Sequence, residues 1–145
     1  MLNPDIYKRF AGVVFAVGLT ASGFVFSQRS IDNVQEVRPQ LQQVVECALN
    51  HSLTDFVVID GGRTAEEHAN NRANGKSWIR RSKHQDGLAV DVAAYKDGQI
   101  SYKAEHYYDI AASFDYCSNK YNVPITWGGE WKVQDLMHFE LRGVK

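Results

Sequence analysis

The stretch SKHQDGLAVDVAA, residues 82–94, joins a polar loop to an apolar strand that has one carboxylate in its middle. Gly87 permits a tight backbone bend, and the run from Leu88 to Ala94 predicts a short strand. Asp91 stands between two valines in that strand. Because a buried, unpaired carboxylate is expensive, Asp91 is expected to have a cation or strong hydrogen bonds beside it.

A second polar side chain interrupts an apolar run near the end of the chain. In DLMHFEL, residues 135–141, His138 stands between a methionine and a phenylalanine in another predicted strand. Two histidines and one aspartate (His84, Asp91 and His138) form a ligand set that suits Zn²⁺, and three protein ligands leave a fourth position for water, as in catalytic sites. The residues alone also allow a pair of hydrogen-bonded histidines beside an ion-paired Asp91.

The rest of the chain predicts an α+β domain, because helices and short strands alternate in no regular βαβ order. Thr64 and Glu67 have the spacing of a capping box, which predicts a helix that starts there and ends at Asn74-Gly75. Asp97-Gly98 predicts a tight turn between two strands. Apolar periodicity predicts helices over 39–50 and 104–120 and strands over 56–59, 88–94, 99–102, 125–127 and 137–141.

Composition limits the class of protein. A chain of 145 residues has room for one domain, and 44% hydrophobic with 23% charged residues excludes wholesale disorder. The net charge of −1 shows no basic excess, so nucleic acid is not an expected partner. Cys47 and Cys117 lie on apolar helical faces, where buried free thiols are the default expectation. A disulfide between them would require an oxidising compartment.

The N-terminal segment is unusually apolar. From Phe10 to Ser27 there are 18 residues without a charge, directly after Lys8 and Arg9. A membrane-spanning helix needs roughly 20 apolar residues, and glycines and hydroxyl residues dilute this stretch. Three interpretations stay open: an export signal or weak signal-anchor, a buried element of the domain, or an extension with little role.

The two polar motifs resemble a known family. Ser82-x-His84-x-x-Gly87-x-Ala89-x-Asp91, followed by Asp135-x-x-His138-x-Glu140, resembles the zinc D-Ala-D-Ala carboxypeptidase and dipeptidase family, and within it the phage endolysins that are L-alanyl-D-glutamate endopeptidases. The resemblance runs from about Phe24 to Leu141. It implies a compact hedgehog-like or DD-peptidase-like zinc domain over 24–145, with a small antiparallel sheet and flanking helices, and it leaves 1–23 as an apolar extension.

The resemblance also implies roles for individual residues. His84, Asp91 and His138 would be the zinc ligands. Asp135 matches the family's acidic general base, which takes a proton from water and passes it to the leaving amine. Arg63 matches the arginine that binds substrate and stabilises the developing oxyanion.

Other polar residues have weaker assignments. Ser82 matches a serine near the substrate, or is a turn former. Glu140 would orient a ligand, act as a competing base, or be structural. The basic residues Arg80, Arg81 and Lys83 are expected to form a solvated loop that could also attract anionic peptides. The remaining histidines are expected to be exposed: His51, His68 and His106.

The function implied by the resemblance is a zinc endopeptidase that cuts the L-Ala–D-Glu bond of the peptidoglycan stem peptide. As a phage endolysin it would be made in the host cytoplasm and act in the periplasm, with its own N-terminal segment as one route of export. The expected partner is the stem peptide, the expected state is a monomer, and membrane contact would be confined to the N-terminal segment. Alternatives are a D,D- or L,D-carboxypeptidase of the same family and a non-catalytic zinc-binding module.

Overall fold

The computed structural model describes residues 9–10, 13–14, 22–62, 70, 73–75 and 83–144. The helices there are α1 (Gln28–Gln35), α2 (Pro39–His51) and α3 (Ala104–Tyr121), with single 3-10 turns at Lys83–Asp86 and Gly128–Glu130. The strands are β1 (Arg9–Phe10), β2 (Val13–Val14), β3 (Asp55–Asp60), β4 (Ala89–Lys96), β5 (Gln99–Ser101), β6 (Ile125–Trp127) and β7 (His138–Leu141).

One small antiparallel sheet organises the domain. Its strand order is β3-β4-β7-β6, and β5 pairs with the second half of β4. The turn between β4 and β5 has positive φ at both Asp97 and Gly98, as the Asp-Gly signal predicts. The α+β class with a small antiparallel sheet is therefore confirmed, and the strands and long helices lie within a few residues of their predicted bounds.

The two faces of the sheet have different chemistry. Val90 and Phe139 are paired across β4 and β7, and the Phe139 ring stacks on Phe114 of α3 at 3.9 Å between centroids. These side chains belong to the core that the helices cover. Because side chains alternate along a strand, Asp91 and His138 project from the opposite face. The apolar residues therefore fix the sheet against α3 and leave the polar residues away from that helix.

Helix α1 is not anticipated by the apolar pattern. Its buried residues are Ser30 and Val34, so half of its inner face is polar. The Ser30 hydroxyl accepts from the Val58 N–H at 3.1 Å, and the Asn33 amide donates to the Val58 carbonyl at 2.8 Å. Helix α1 thus satisfies backbone groups of β3 through polar side chains, which an apolar periodicity cannot reveal.

The two cysteines form a disulfide. Cys47 of α2 and Cys117 of α3 are buried as predicted, but the expectation of free thiols is wrong. The bond joins residues 70 positions apart, and in the chain-entropy model such a crosslink stabilises the fold by about 4 kcal/mol. Apolar patterning shows that each cysteine faces a core, but not that the two helices meet at these residues.

Glu46 of α2 makes stability depend on pH. Burial raises the pKa of Glu46 to about 8, and its buried Oε1 has no hydrogen-bond partner in the part of the chain described. A carboxyl whose pKa is higher in the folded protein keeps its proton there longer than in the unfolded chain. The free energy of unfolding therefore falls as pH rises from about 4.5 toward 8, because the unfolded chain loses this proton first.

We expect Glu46→Gln to stabilise the protein at pH 8 and to have little effect at pH 4.5. One pKa unit corresponds to about 1.4 kcal/mol of free energy. Because water partly reaches Glu46, we expect Glu46→Gln to raise the free energy of unfolding at pH 8 by about 1–2 kcal/mol. Urea unfolding at both pH values measures it, with the exposed Glu105→Gln as the control. A Glu46→Gln difference that does not change with pH would contradict this assignment.

Two expectations fall on other parts of the chain. The helix predicted from Thr64 to Asn74 lies largely outside the described residues. So does most of the apolar stretch after Arg9, where the short strands β1 and β2 pair with each other. Across the described ranges, no helix combines the length and the apolar character needed to cross a bilayer.

Candidate active site

The sheet register brings Asp91 and His138 together. They are direct partners across β4 and β7, although 47 positions separate them in the chain. Asp91 Oδ1 lies 3.0 Å from His138 Nδ1. On the other side of β4, the pairing with β3 shifts register between Val58 and Asp60, opposite Asp91. The polar pair therefore lies beside an irregularity of the kind that often occurs next to active sites.

His84 reaches the same carboxylate from the loop before β4. The chain makes one 3-10 turn and then reverses at Gly87, which has φ +67°. His84 is buried, with its Nε2 at 3.4 Å from Asp91 Oδ1. Its Nδ1 lies 2.8 Å from the carbonyl oxygen of Gly61. Since a carbonyl only accepts, Nδ1 carries a hydrogen, and Nε2 is the ring nitrogen that faces Asp91.

The three side chains form a compact group with one inward atom each. His84, Asp91 and His138 offer ligand atoms that all lie within 4.8 Å of one another, which makes the group a possible metal-binding site. All three predicted ligands therefore meet at one place.

Electrostatics couple the members of this group. Burial by itself would raise the pKa of Asp91, but hydrogen bonds from His138 and His84 reverse that effect and hold it well below its usual range. Burial would lower the pKa of His138, yet its hydrogen bonds to Asp91 and Glu140 raise it overall. The carboxylate thus stays ionised, as a ligand for a cation must.

Glu140 holds the outer edge of the His138 ring. Its Oε2 lies 3.0 Å from His138 Nε2, while its Oε1 lies 3.0 Å from Lys83 Nζ. The structure thus places Glu140 on the nitrogen of His138 that points away from Asp91. Of the residues expected in a solvated basic loop, Lys83 is half-buried and ion-paired, and Arg80 and Arg81 lie outside the described residues.

Asp135 lies in the turn that leads into β7. Its backbone N–H donates to the Gly128 carbonyl at 2.9 Å, and its Oδ1 accepts from the Met137 N–H at 3.2 Å. The side chain is exposed to solvent. A Cβ on Gly128 would come within 2.5 Å of the Asp135 carbonyl and 3.2 Å of the His138 Cβ. Glycine at position 128 therefore allows the two segments to approach each other.

An aromatic side chain borders the group. Trp131 is 39% exposed, and its ring lies 5.0 Å from the His138 ring between centroids. This position beside His138, with a partly exposed ring, is that of a cleft wall. The Gly61 carbonyl and the Lys83 ion pair were not anticipated, since a backbone acceptor leaves no signal in the sequence.

The remaining expectations have mixed outcomes. Arg63, Ser82 and His68 lie outside the described residues. His51 is exposed, as expected. His106 is half-buried, and its Nδ1 lies 2.8 Å from the Ser101 hydroxyl, so the expectation that it is exposed is wrong.

Three comparisons with known proteins agree with one another. A family model described as phage L-alanyl-D-glutamate peptidase matches residues 22–144. The L-alanyl-D-glutamate peptidase of Escherichia phage T5 is 31% identical over 123 residues, which cover 82% of this chain and 90% of that protein. The crystal structure of Serratia marcescens L-Ala D-Glu endopeptidase ChiX is similar with a TM-score of 0.75 and 33% identity, over 86% of this chain and 95% of that one.

Proposed function

Because this chain belongs to the phage L-alanyl-D-glutamate peptidase family, we propose that it is a zinc-dependent endolysin that hydrolyses the L-Ala–D-Glu bond of the peptidoglycan stem peptide. The observation that carries the proposal is the convergence of His84, Asp91 and His138 on one face of the sheet. The family supplies the reaction and the bond. The geometry supports a metal site, and Asp135, Arg63 and Ser82 are proposed to act on water and substrate.

The donor set fits zinc. Two imidazole nitrogens and one carboxylate oxygen are typical zinc ligands, and three of them correspond to a catalytic site. Each histidine also has an acceptor on its other ring nitrogen: the Gly61 carbonyl for His84 and Glu140 for His138. Such partners orient histidine ligands in zinc enzymes. Bound zinc would supply a Lewis acid for the scissile carbonyl and would lower the pKa of water toward ~7.

Asp135 would move the proton. Its Oδ1 accepts from the Met137 N–H, which fixes the carboxylate and leaves Oδ2 to take a proton from the attacking water. The same carboxyl would then protonate the amine nitrogen of the departing D-Glu residue. Arg63 would bind substrate and stabilise the developing negative charge on the carbonyl oxygen, and Ser82 would lie near the substrate. Both roles rest on the family resemblance.

The place of action follows from the substrate, since a peptidase of peptidoglycan acts on the cell wall. The disulfide between Cys47 and Cys117 supports an oxidising compartment such as the bacterial periplasm. We propose that the enzyme is made in the host cytoplasm and reaches the wall during lysis. Export by its own N-terminal segment, residues 1–23, stays a prediction.

Metal removal tests the proposed function. We expect the purified protein to reduce the turbidity of outer-membrane-permeabilised cells, a chelator to abolish this activity, and added zinc to restore it with one zinc ion per chain. Metal analysis by mass spectrometry gives the stoichiometry. Full lytic activity in protein shown to be metal-free would contradict the zinc mechanism while leaving the family assignment intact.

A further inference from the structure

We propose that Lys83 is a positioning residue, which holds Glu140 in the orientation that fixes the ring of His138. Lys83 Nζ lies 3.0 Å from Glu140 Oε1 and donates to the Leu141 carbonyl at 3.3 Å. The ammonium group therefore has two acceptors on β7, which together hold it in one position. The consequence for zinc binding rests on the proposed function; the contact itself does not.

Glu140 uses its two oxygens for two different partners. Oε1 faces Lys83, and Oε2 lies 3.0 Å from His138 Nε2. Only 15% of the Glu140 side chain is exposed, against 37% for Lys83. A carboxylate that is this buried needs a compensating charge, and removing one partner of such a pair leaves the other uncompensated. Lys83 is the ammonium group that meets this need among the described residues.

The ion pair also joins the two segments that carry the histidines. Lys83 directly precedes His84 in the same 3-10 turn, and Glu140 follows His138 by two residues in β7. The contact therefore links the loop that carries one proposed ligand to the strand that carries another. A substitution of Lys83 would therefore affect the positions of both His84 and His138.

The orientation of Glu140 decides which nitrogen of His138 is available inward. When Nε2–H donates to Glu140, the lone pair of a neutral ring lies on Nδ1, which faces Asp91 at 3.0 Å. A metal ligand needs that lone pair, and partners that fix the tautomer typically change metal affinity by about 10–100-fold. Lys83 would thus act on the metal through two intervening side chains.

The test compares Lys83→Met with the conservative Lys83→Arg and with Lys96→Met, a control at an exposed lysine at the end of β4. Zinc affinity is measured by competition with a chromogenic chelator. We expect Lys83→Met to bind zinc about 10–100-fold more weakly, and the other two variants to stay close to wild type. Wild-type affinity in Lys83→Met would overturn the proposal.

Side-chain NMR separates positioning from a general loss of structure. Long-range ¹H–¹⁵N spectra should show a His138 Nε2–H that exchanges slowly with water in the wild type, because Glu140 accepts from it, and one that exchanges faster in Lys83→Met. Spectra of zinc-loaded and metal-free protein decide the role of Lys83 even if the wild type proves not to cut peptidoglycan. An equally slow exchange of the His138 Nε2–H in Lys83→Met would overturn the proposal.

A double-mutant cycle covers the case in which Lys83→Met does not fold. Lys83→Gln keeps a donor but removes the charge, and it replaces Lys83→Met in that case. Once Glu140→Ala has weakened zinc binding, a further change at Lys83 should have little additional effect, because coupled residues are not additive. Independent, additive losses would show that Lys83 does not act through Glu140.

Discussion

Asp135→Asn will abolish most of the hydrolytic activity while the protein keeps its metal. General base catalysis contributes about 10²–10⁴-fold to rate, so a loss of that size in kcat/KM is expected. Asparagine still offers an Oδ1 that can accept from the Met137 N–H, which should preserve the turn before β7. It cannot take a proton from water, so the defect lies in the chemical step.

The measurement is the rate of solubilisation of purified peptidoglycan, together with zinc content. Asp115→Asn is the matched control, because it removes an exposed carboxylate from helix α3. Equal rates for Asp135→Asn and wild type, at equal zinc content, would remove Asp135 from the mechanism. If wild type and Asp135→Asn both bind zinc and neither solubilises peptidoglycan, the protein is a zinc-binding module without catalysis.

His84→Ala will lose zinc and unfold at a lower temperature. His84 is buried between the Gly61 carbonyl and Asp91, so the change removes a proposed ligand and leaves a cavity beside a carboxylate. Metal that binds the folded state alone stabilises it by about 4 kcal/mol at a thousandfold excess over Kd, and this contribution disappears with the ligand. A chain of this size shifts its Tm by roughly 2–4 °C per kcal/mol, so we expect a fall in Tm of about 10 °C.

Two measurements are compared for His84→Ala: zinc content after dialysis and Tm with and without added zinc. Wild type should gain stability from zinc and His84→Ala should not. His51→Ala, at an exposed histidine of α2, should behave like wild type. Full zinc content in His84→Ala would exclude His84 from the ligand set.

Sequence patterns predict the parts of this fold that depend on local preferences. Strands β4 and β7 follow from short apolar runs, and the polar interruptions at Asp91 and His138 mark them as unusual. The register that places these residues opposite each other depends on pairing across 47 positions, which no local pattern contains. The family resemblance supplied that link, and the geometry agrees with it.

Other features depend on contacts that have no local signal. Helix α1 buries Ser30 beside Val34, so it lacks an apolar stripe. The disulfide requires α2 and α3 to meet at Cys47 and Cys117, and that meeting is set by the packing of both helices on one sheet. The partner of His84 is a backbone carbonyl, which every residue possesses. In each case tertiary packing, not residue type, decides the outcome.

Mass spectrometry of digested peptidoglycan shows directly whether the enzyme cuts the L-Ala–D-Glu bond. Purified stem-peptide-containing peptidoglycan is incubated with the enzyme, and the released fragments are analysed for their new termini. We expect fragments with a new amino-terminal D-Glu and glycan strands that retain L-Ala. Release of a terminal D-Ala instead, with the L-Ala–D-Glu bond intact, would contradict this expectation and identify a carboxypeptidase.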